Sequence, residues 1–132
     1  MSALYAGFGC RRGCSVEVLE HLLRRSLAAH GLAITAVRGI ASIALKADEP
    51  GLSALSRRLA LPLVCYDAQQ LQPFLNQLSH RSERSHKTTG CWGVAESAAL
   101  ALALADGHGD QPRLRISRQV FASATLAIAC NG

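Results

Sequence analysis

Apolar and polar positions change pattern several times along the chain, and each change predicts a new element. The first apolar run, "ALYAGFG" at residues 3–9, ends in glycine before a turn and is typical of a buried strand in a parallel sheet. Leucines then recur at helical spacing from Ser15 to His30, with charged residues on the opposite face. This pattern predicts a first helix that is capped by Cys14 or Ser15 and ended by Gly31.

The middle of the chain repeats this alternation of strand and helix. The apolar stretch 32–45 predicts a strand near Ile34 to Val37, followed by either extended chain or a short helix. In "ADEPGLSALSRRLALP" the leucines are spaced for one helical face. This pattern predicts a helix that is capped by Asp48 and closed by Pro62. "LPLVCY" predicts a third strand, and Asp67 begins a further helical pattern.

The last third of the chain contains a polar segment, a very apolar one and two short strand patterns. Ser79 to Gly90 has no apolar residue, which predicts a mobile loop. "GVAESAALALALA" at 93–105 predicts a buried helix that ends in "DGHGDQP", and "RLRISRQV" and "SATLAIAC" predict an antiparallel hairpin. The predicted fold is α/β, a three-layer αβα arrangement with a mixed, mostly parallel sheet and a C-terminal antiparallel hairpin, in one domain covering residues 1–132.

The charge balance favours an anionic partner. The net charge is +5, and twelve of the fourteen basic residues are arginine, whose planar fork pairs with carboxylate or phosphate. The alternative is simply a basic, solvated surface. A nucleic-acid partner is not expected, because only 5% of the residues are aromatic and no recognised module is present. No apolar run approaches the roughly 20 residues that span a bilayer, so we expect a cytoplasmic protein without a membrane partner.

The segment "GFGCRRGCS", Gly7 to Ser15, combines glycines, two arginines and two cysteines between a strand and a helix. Free backbone N–H groups and a helix N-terminus at such a turn favour an anion site, which Arg11 and Arg12 would strengthen. A thiol with a lowered pKa at Cys10 or Cys14 is a second interpretation. A metal site is not expected, because no second ligand pair follows.

A second candidate turn is "LKADEPG", which places Lys46, Asp48 and Glu49 at the entry to a helix. These charges are consistent with ordinary helix capping. In a parallel sheet, however, this turn lies at the same carboxyl edge as the Arg11–Arg12 turn, where α/β proteins bind their ligands. Trp92, the only tryptophan, is either core packing or a flat apolar face for a large ring.

Four motifs in order resemble a known family: "GFGCRRGCS", "LKADEPGLSAL", "GVAESAAL" and "SRQVFASATLAIA". The chain resembles the cobalamin biosynthesis family formed by CobE proteins and the C-terminal domain of CbiG proteins. The resemblance covers nearly the whole chain. The chain departs from the family pattern at two places: Cys14 stands where threonine is usual, and "SRQVF" stands where a "PKTKF"-like run is usual. The resemblance assigns Cys14 to the helix cap.

The resemblance implies an α/β fold and a role in the oxygen-dependent synthesis of the corrin ring. The positions that match the family motifs or keep their charge, and are therefore predicted to bind ligand, are Gly9, Cys10, Arg11, Arg12, Gly13, Ser15, Lys46, Asp48, Glu49, Glu96, Arg118 and Thr125. The implied ligand is a corrin or precorrin intermediate with several carboxylates, without a resident cofactor, and other enzymes of the pathway are further candidate partners.

Two functions follow from this implied ligand. The first is a binding or carrier protein in which the arginines hold ring carboxylates. The second is a hydrolase-like enzyme that acts on the same ring, with Glu49 or Asp48 as general base and Cys10 as nucleophile.

Overall fold

The structure is a computed structural model that describes residues 3–107 and 111–131. Its strands are β1 (Leu4–Cys10), β2 (Val37–Ile43), β3 (Leu63–Tyr66), β4 (Pro112–Phe121) and β5 (Ala124–Asn131). They form one sheet in the order β3-β2-β1-β5-β4. β1 pairs in parallel with β2 and β2 with β3, whereas β5 runs antiparallel to both β1 and β4. The carboxyl ends of β1 and β2 therefore meet at one edge of the sheet, as predicted.

The helices cover both faces of this sheet. They are α1 (Val16–Ala29), α2 (Pro50–Leu59), α3 (Ala68–Leu71), α4 (Glu83–Thr89) and α5 (Val94–Asp106). Successive side chains of β1 point to opposite faces. Leu4 and Phe8 pack into a core with α1 and α2, and Tyr5 packs into a second core with α5. The sheet is the middle layer, which confirms the predicted three-layer α/β fold with its mixed, mostly parallel sheet and closing hairpin.

α5 lies unusually close to β1 because Gly7 has no side chain. A Cβ atom at Gly7 would lie 2.0 Å from the carbonyl oxygen of Ala95, far inside van der Waals contact. This approach brings the first turn of α5, and with it Glu96, beside the carboxyl end of β1. Gly7 thus allows α5 to approach the sheet closely beside the carboxyl end of β1.

Strand β2 starts later than predicted. Residues Ile34–Ala36 form a 3-10 turn and the strand begins at Val37, so the strand expected near Ile34 to Val37 is misplaced. After Val37 both alternatives occur in turn, because the chain is extended as β2 to Ile43 and then forms a short 3-10 helix at Ala44–Lys46.

The caps of α1 and α2 decide one open prediction and correct another. Of the two candidates for α1, Ser15 caps the helix, because its hydroxyl accepts a hydrogen bond from the N–H of Val18 at 3.2 Å. The assignment of Cys14 to the cap is therefore wrong. α2 has Glu49 rather than Asp48 at its cap position, since Pro50 occupies the first turn, where it lacks only an N–H that has no helical partner.

The polar segment Ser79–Gly90 contains helix α4, so the expectation of a mobile loop is wrong. The hydroxyl of Ser82 accepts from the N–H of Ser85 at 3.1 Å, and Gly90 ends the helix with φ of 79°. No residue of α4 is buried. The segment therefore lacks the apolar periodicity that makes a helix visible in sequence.

α5 and the hairpin agree with their predicted positions. α5 ends at Asp106, and β4 and β5 are joined by a tight turn at Ala122 and Ser123. Residues 108–110 of the predicted "DGHGDQP" terminator lie outside the described residues. In the part of the chain that is described, none of the helices combines the length and the apolar character needed to cross a bilayer.

Candidate functional site

A cleft of about 600 Å³ opens at the edge of the sheet where β1 and β2 end. One wall is formed by the end of β1, the following turn and Lys46. A second wall is formed by β4, β5 and the turn between them, and a third by α4 and the start of α5. Two loops that are distant in sequence thus converge on one cleft, as the parallel order of β1 and β2 predicted.

Five cationic side chains line this cleft, and we refer to them as the cleft cations: Arg11, Arg12, Lys46, Arg84 and Arg118. Glu96 is the one carboxylate among the described lining residues. Within residues 3–107 and 111–131, salt bridges join Glu17 and Glu20 to Arg24 and Arg58 and involve none of the cleft cations. The cleft is therefore a region of concentrated positive charge.

Glu96 does not neutralise this charge by ion pairing, because backbone and hydroxyl donors occupy its carboxylate. One oxygen accepts from the N–H of Ser79 at 2.8 Å, and the other accepts from the N–H of Arg118 at 2.9 Å and from the hydroxyl of Ser79. The residue is 1% exposed. Glu96 therefore joins α5 to the segment before α4 and to β4, and so ties two walls of the cleft together.

Glu49 plays a similar part on the other side. Its side chain is buried, and Oε2 accepts a hydrogen bond from the N–H of Gly13 at 3.1 Å. Gly13 has φ of 80°, a conformation in which a side chain would be strained. This contact fixes the turn that carries Arg11 and Arg12 against the start of α2. Asp48 is exposed and does not line the cleft.

Cys10 lines the cleft at the end of β1 and is half-buried. The pKa of its thiol is raised to about 11, mainly by burial and also by the neighbouring Cys14 and Glu49, whereas Lys46 opposes this increase. The expectation of a lowered pKa is wrong for Cys10, because the residue is the partly buried last residue of β1 and does not lie at the helix N-terminus. At neutral pH the residue is a thiol, and a thiol is a weak nucleophile.

This raised pKa predicts slow alkylation of Cys10. At pH 7.5 iodoacetamide should modify it roughly tenfold more slowly than an exposed cysteine, and the rate should keep rising until the pH approaches 11. Peptide mass spectrometry of time points between pH 7 and 11 measures the rate, with Cys10→Ser as the control for assignment. A rate that levels off below pH 8 would contradict the raised pKa.

Trp92 lies between the cleft and a second cavity of about 270 Å³ and lines both. Its indole stacks on the imidazole of His86, with ring centroids 4.2 Å apart and planes 14° from parallel. The aromatic face that the sequence left open between core packing and ligand contact is thus half-buried at the cleft wall.

The structure brings most of the predicted ligand residues together at the cleft. Eight of them line it: Gly9, Cys10, Arg11, Arg12, Lys46, Glu96, Arg118 and Thr125. Four others, Gly13, Ser15, Asp48 and Glu49, lie outside the lining. The roles of all twelve as ligand contacts, and any catalytic role of Asp48, Glu49 and Cys10, stay predictions.

Sequence reasoning missed the wall contributed by α4 and the residues on either side of it. The additional polar lining residues there are His80, Ser82, Arg84, Ser85, Thr88 and Thr89. The available signal was the polar composition of the segment, with cap residues at both ends, Ser82 and Gly90. Among the described residues, no three His, Cys, Asp or Glu side chains are arranged to hold a metal ion.

Comparison with known proteins identifies the family of this chain. Residues 4–129 match the family model described as "Cobalamin synthesis G C-terminus". The chain belongs to the CobE/CbiG C-terminal family. It is accordingly a cobalamin biosynthesis protein, which confirms the family resemblance of its four motifs.

Individual relatives agree with this assignment. The chain is 37% identical to Protein CobE of Sinorhizobium sp. over 97% of its own length and 80% of that protein. It is 29% identical to cobalt-precorrin-5A hydrolase of Priestia megaterium over 96% of its length, but it spans only 32% of that larger protein. A 1.7 Å crystal structure of CobE, described as a protein from the cobalamin biosynthetic pathway, superposes with a TM-score of 0.92 at 40% identity, covering 98% of this chain and 90% of that one.

Proposed function

We propose that this protein binds a corrin or precorrin intermediate that carries several carboxylates, and that it acts as a binding or carrier protein. The observation that carries this proposal is the convergence of five cations on one cleft in which the lining carboxylate, Glu96, is already hydrogen-bonded. Anionic groups at the rim of a ring would pair with these cations. Membership of a cobalamin biosynthesis family supports a corrin ring as the source of those carboxylates.

The shape and chemistry of the cleft support the same ligand class. A volume of about 600 Å³ lies within the range of sites that hold small molecules and cofactors. Trp92 supplies an aromatic surface and Val120 an exposed apolar side chain beside the cations. A flat ring with an apolar body and charged substituents matches this combination of surfaces.

Catalysis has less support than binding. The three predicted catalytic residues are poorly placed or in an unreactive form. Cys10 is protonated at neutral pH, the carboxylate of Glu49 accepts a hydrogen bond from Gly13, and Asp48 lies outside the cleft lining. The hydrolase relative is about three times as long as the matched region, so its activity does not transfer to this chain on similarity alone. Turnover of a precorrin that is lost in Glu49→Gln would favour the enzyme over the carrier.

Titration of the protein with a cobalt-free corrin polycarboxylic acid tests the proposal. We expect a shift in the absorption spectrum of the ring, quenching of Trp92 fluorescence and measurable heat in calorimetry. The methyl ester of the same corrin is the matched control, because it keeps the ring but removes the charges that the cleft cations would pair with. Equal affinity for acid and ester, or no binding of the acid, would contradict the proposal.

A further inference from the structure

Helix α4, which lies against Trp92, contributes no residue to either hydrophobic core. α4 has seven residues and none is buried, so its own packing contributes little to its stability. Hydrogen bonds fix it to the segment that carries Trp92: the N–H of Ser82 donates to the carbonyl of Trp92 at 2.8 Å, and the hydroxyl of Ser85 donates to the carbonyl of Cys91 at 2.7 Å. These bonds fix the backbone and do not involve the indole ring.

His86 is the side chain of α4 that stacks on this indole. The two rings are 4.2 Å apart and nearly parallel, and such aromatic pairs contribute beyond the apolar area that they bury. His86 lines the 270 Å³ cavity but not the cleft, whereas Trp92 lines both. The imidazole therefore contacts the indole from the side away from the cleft. Because His86 is itself exposed, removing its ring would open the stacked face of the indole to solvent and take away a contact that limits rotation of the indole.

We propose that His86 is a positioning residue that holds Trp92 against the cleft, so that the indole presents a fixed aromatic surface to a ring ligand. The inference rests on the proposed function for the identity of that ligand. The positioning itself is a property of the free protein. His86 does not touch the ligand, and its effect on binding passes through the stack with Trp92.

Two measurements on His86→Ala, His86→Phe and the parent protein test this inference. Trp92 is the only tryptophan, so acrylamide quenching of its fluorescence reports its exposure without ligand. Titration with the corrin polycarboxylic acid gives the affinity. Lys87→Ala is the matched control, because Lys87 is the exposed neighbour of His86 on α4 and lines neither cavity.

In His86→Ala we expect stronger acrylamide quenching and a threefold to tenfold weaker affinity, in line with the strength of aromatic pairs. His86→Phe keeps a ring against the indole and should restore both values, and Lys87→Ala should change the affinity less than twofold. Unchanged quenching in His86→Ala, or a His86→Phe variant as weak as His86→Ala, would overturn the inference. If the parent protein does not bind the corrin, the proposed function fails, and the quenching data alone decide whether His86 positions Trp92.

Discussion

Replacing Arg11 and Arg12 together by alanine should weaken binding of a corrin polycarboxylic acid roughly thirtyfold, or about 2 kcal/mol. Both side chains are exposed on the turn after β1 and line the cleft, where each can pair with a ring carboxylate. Because such pairs are screened by salt, the parent protein should lose affinity as ionic strength rises, and the double variant should respond less steeply. Calorimetric titrations at low and high salt measure both effects.

The matched control is the double variant Arg113→Ala and Arg115→Ala. These arginines are also exposed, lie on β4 and do not line the cleft, so the net charge of the protein falls by the same two units. We expect the affinity of this control to stay within about twofold of the parent value, because exposed charges outside contact distance are largely screened. If both double variants bind equally weakly, the general charge of the protein and not the cleft determines affinity.

The fold was largely predictable because its core elements carry strong periodicity. β1, α1 and α5 each bury a continuous apolar run or stripe, and these elements occur where the sequence predicts them. The parallel order of β1 and β2 then placed the Arg11–Arg12 turn beside Lys46 without any knowledge of contacts. Errors arose at element ends, such as Ile34–Ala36, where one turn of 3-10 helix has the same apolar character as a strand.

The candidate site was predictable only in part, because several of its residues act through backbone contacts. Glu49 and Glu96 were predicted to contact the ligand. In the structure the carboxylate of Glu49 accepts a hydrogen bond from Gly13, and that of Glu96 accepts hydrogen bonds from Ser79 and Arg118. Such long-range partners leave no local pattern. α4 was missed for the opposite reason: it has no apolar face, and hydrogen bonds rather than burial hold it in place.

The buried carboxylate of Glu96 should matter more for stability than any other charged group of the cleft. We expect Glu96→Ala to lower the free energy of unfolding by about 2–4 kcal/mol, because the N–H groups of Ser79 and Arg118 lose their acceptor. Glu96→Gln retains one acceptor oxygen and should cost about half as much. Urea denaturation followed by Trp92 fluorescence measures these differences, and Glu96→Gln keeps the test informative if Glu96→Ala does not fold.

Glu83→Ala is the control for this experiment, because Glu83 is an exposed glutamate in the first turn of α4. We expect this substitution to lower the free energy of unfolding by about 0.5 kcal/mol or less. Glu96 also fixes Arg118, so Glu96→Gln should weaken corrin binding although it removes negative charge from a cationic cleft. If Glu96 acted only through its charge, the change in affinity would have the opposite sign, because loss of a carboxylate strengthens the binding of an anion. Tighter binding by a folded Glu96→Gln protein would therefore show that Glu96 acts as a charge, and not as the tie between α5 and β4.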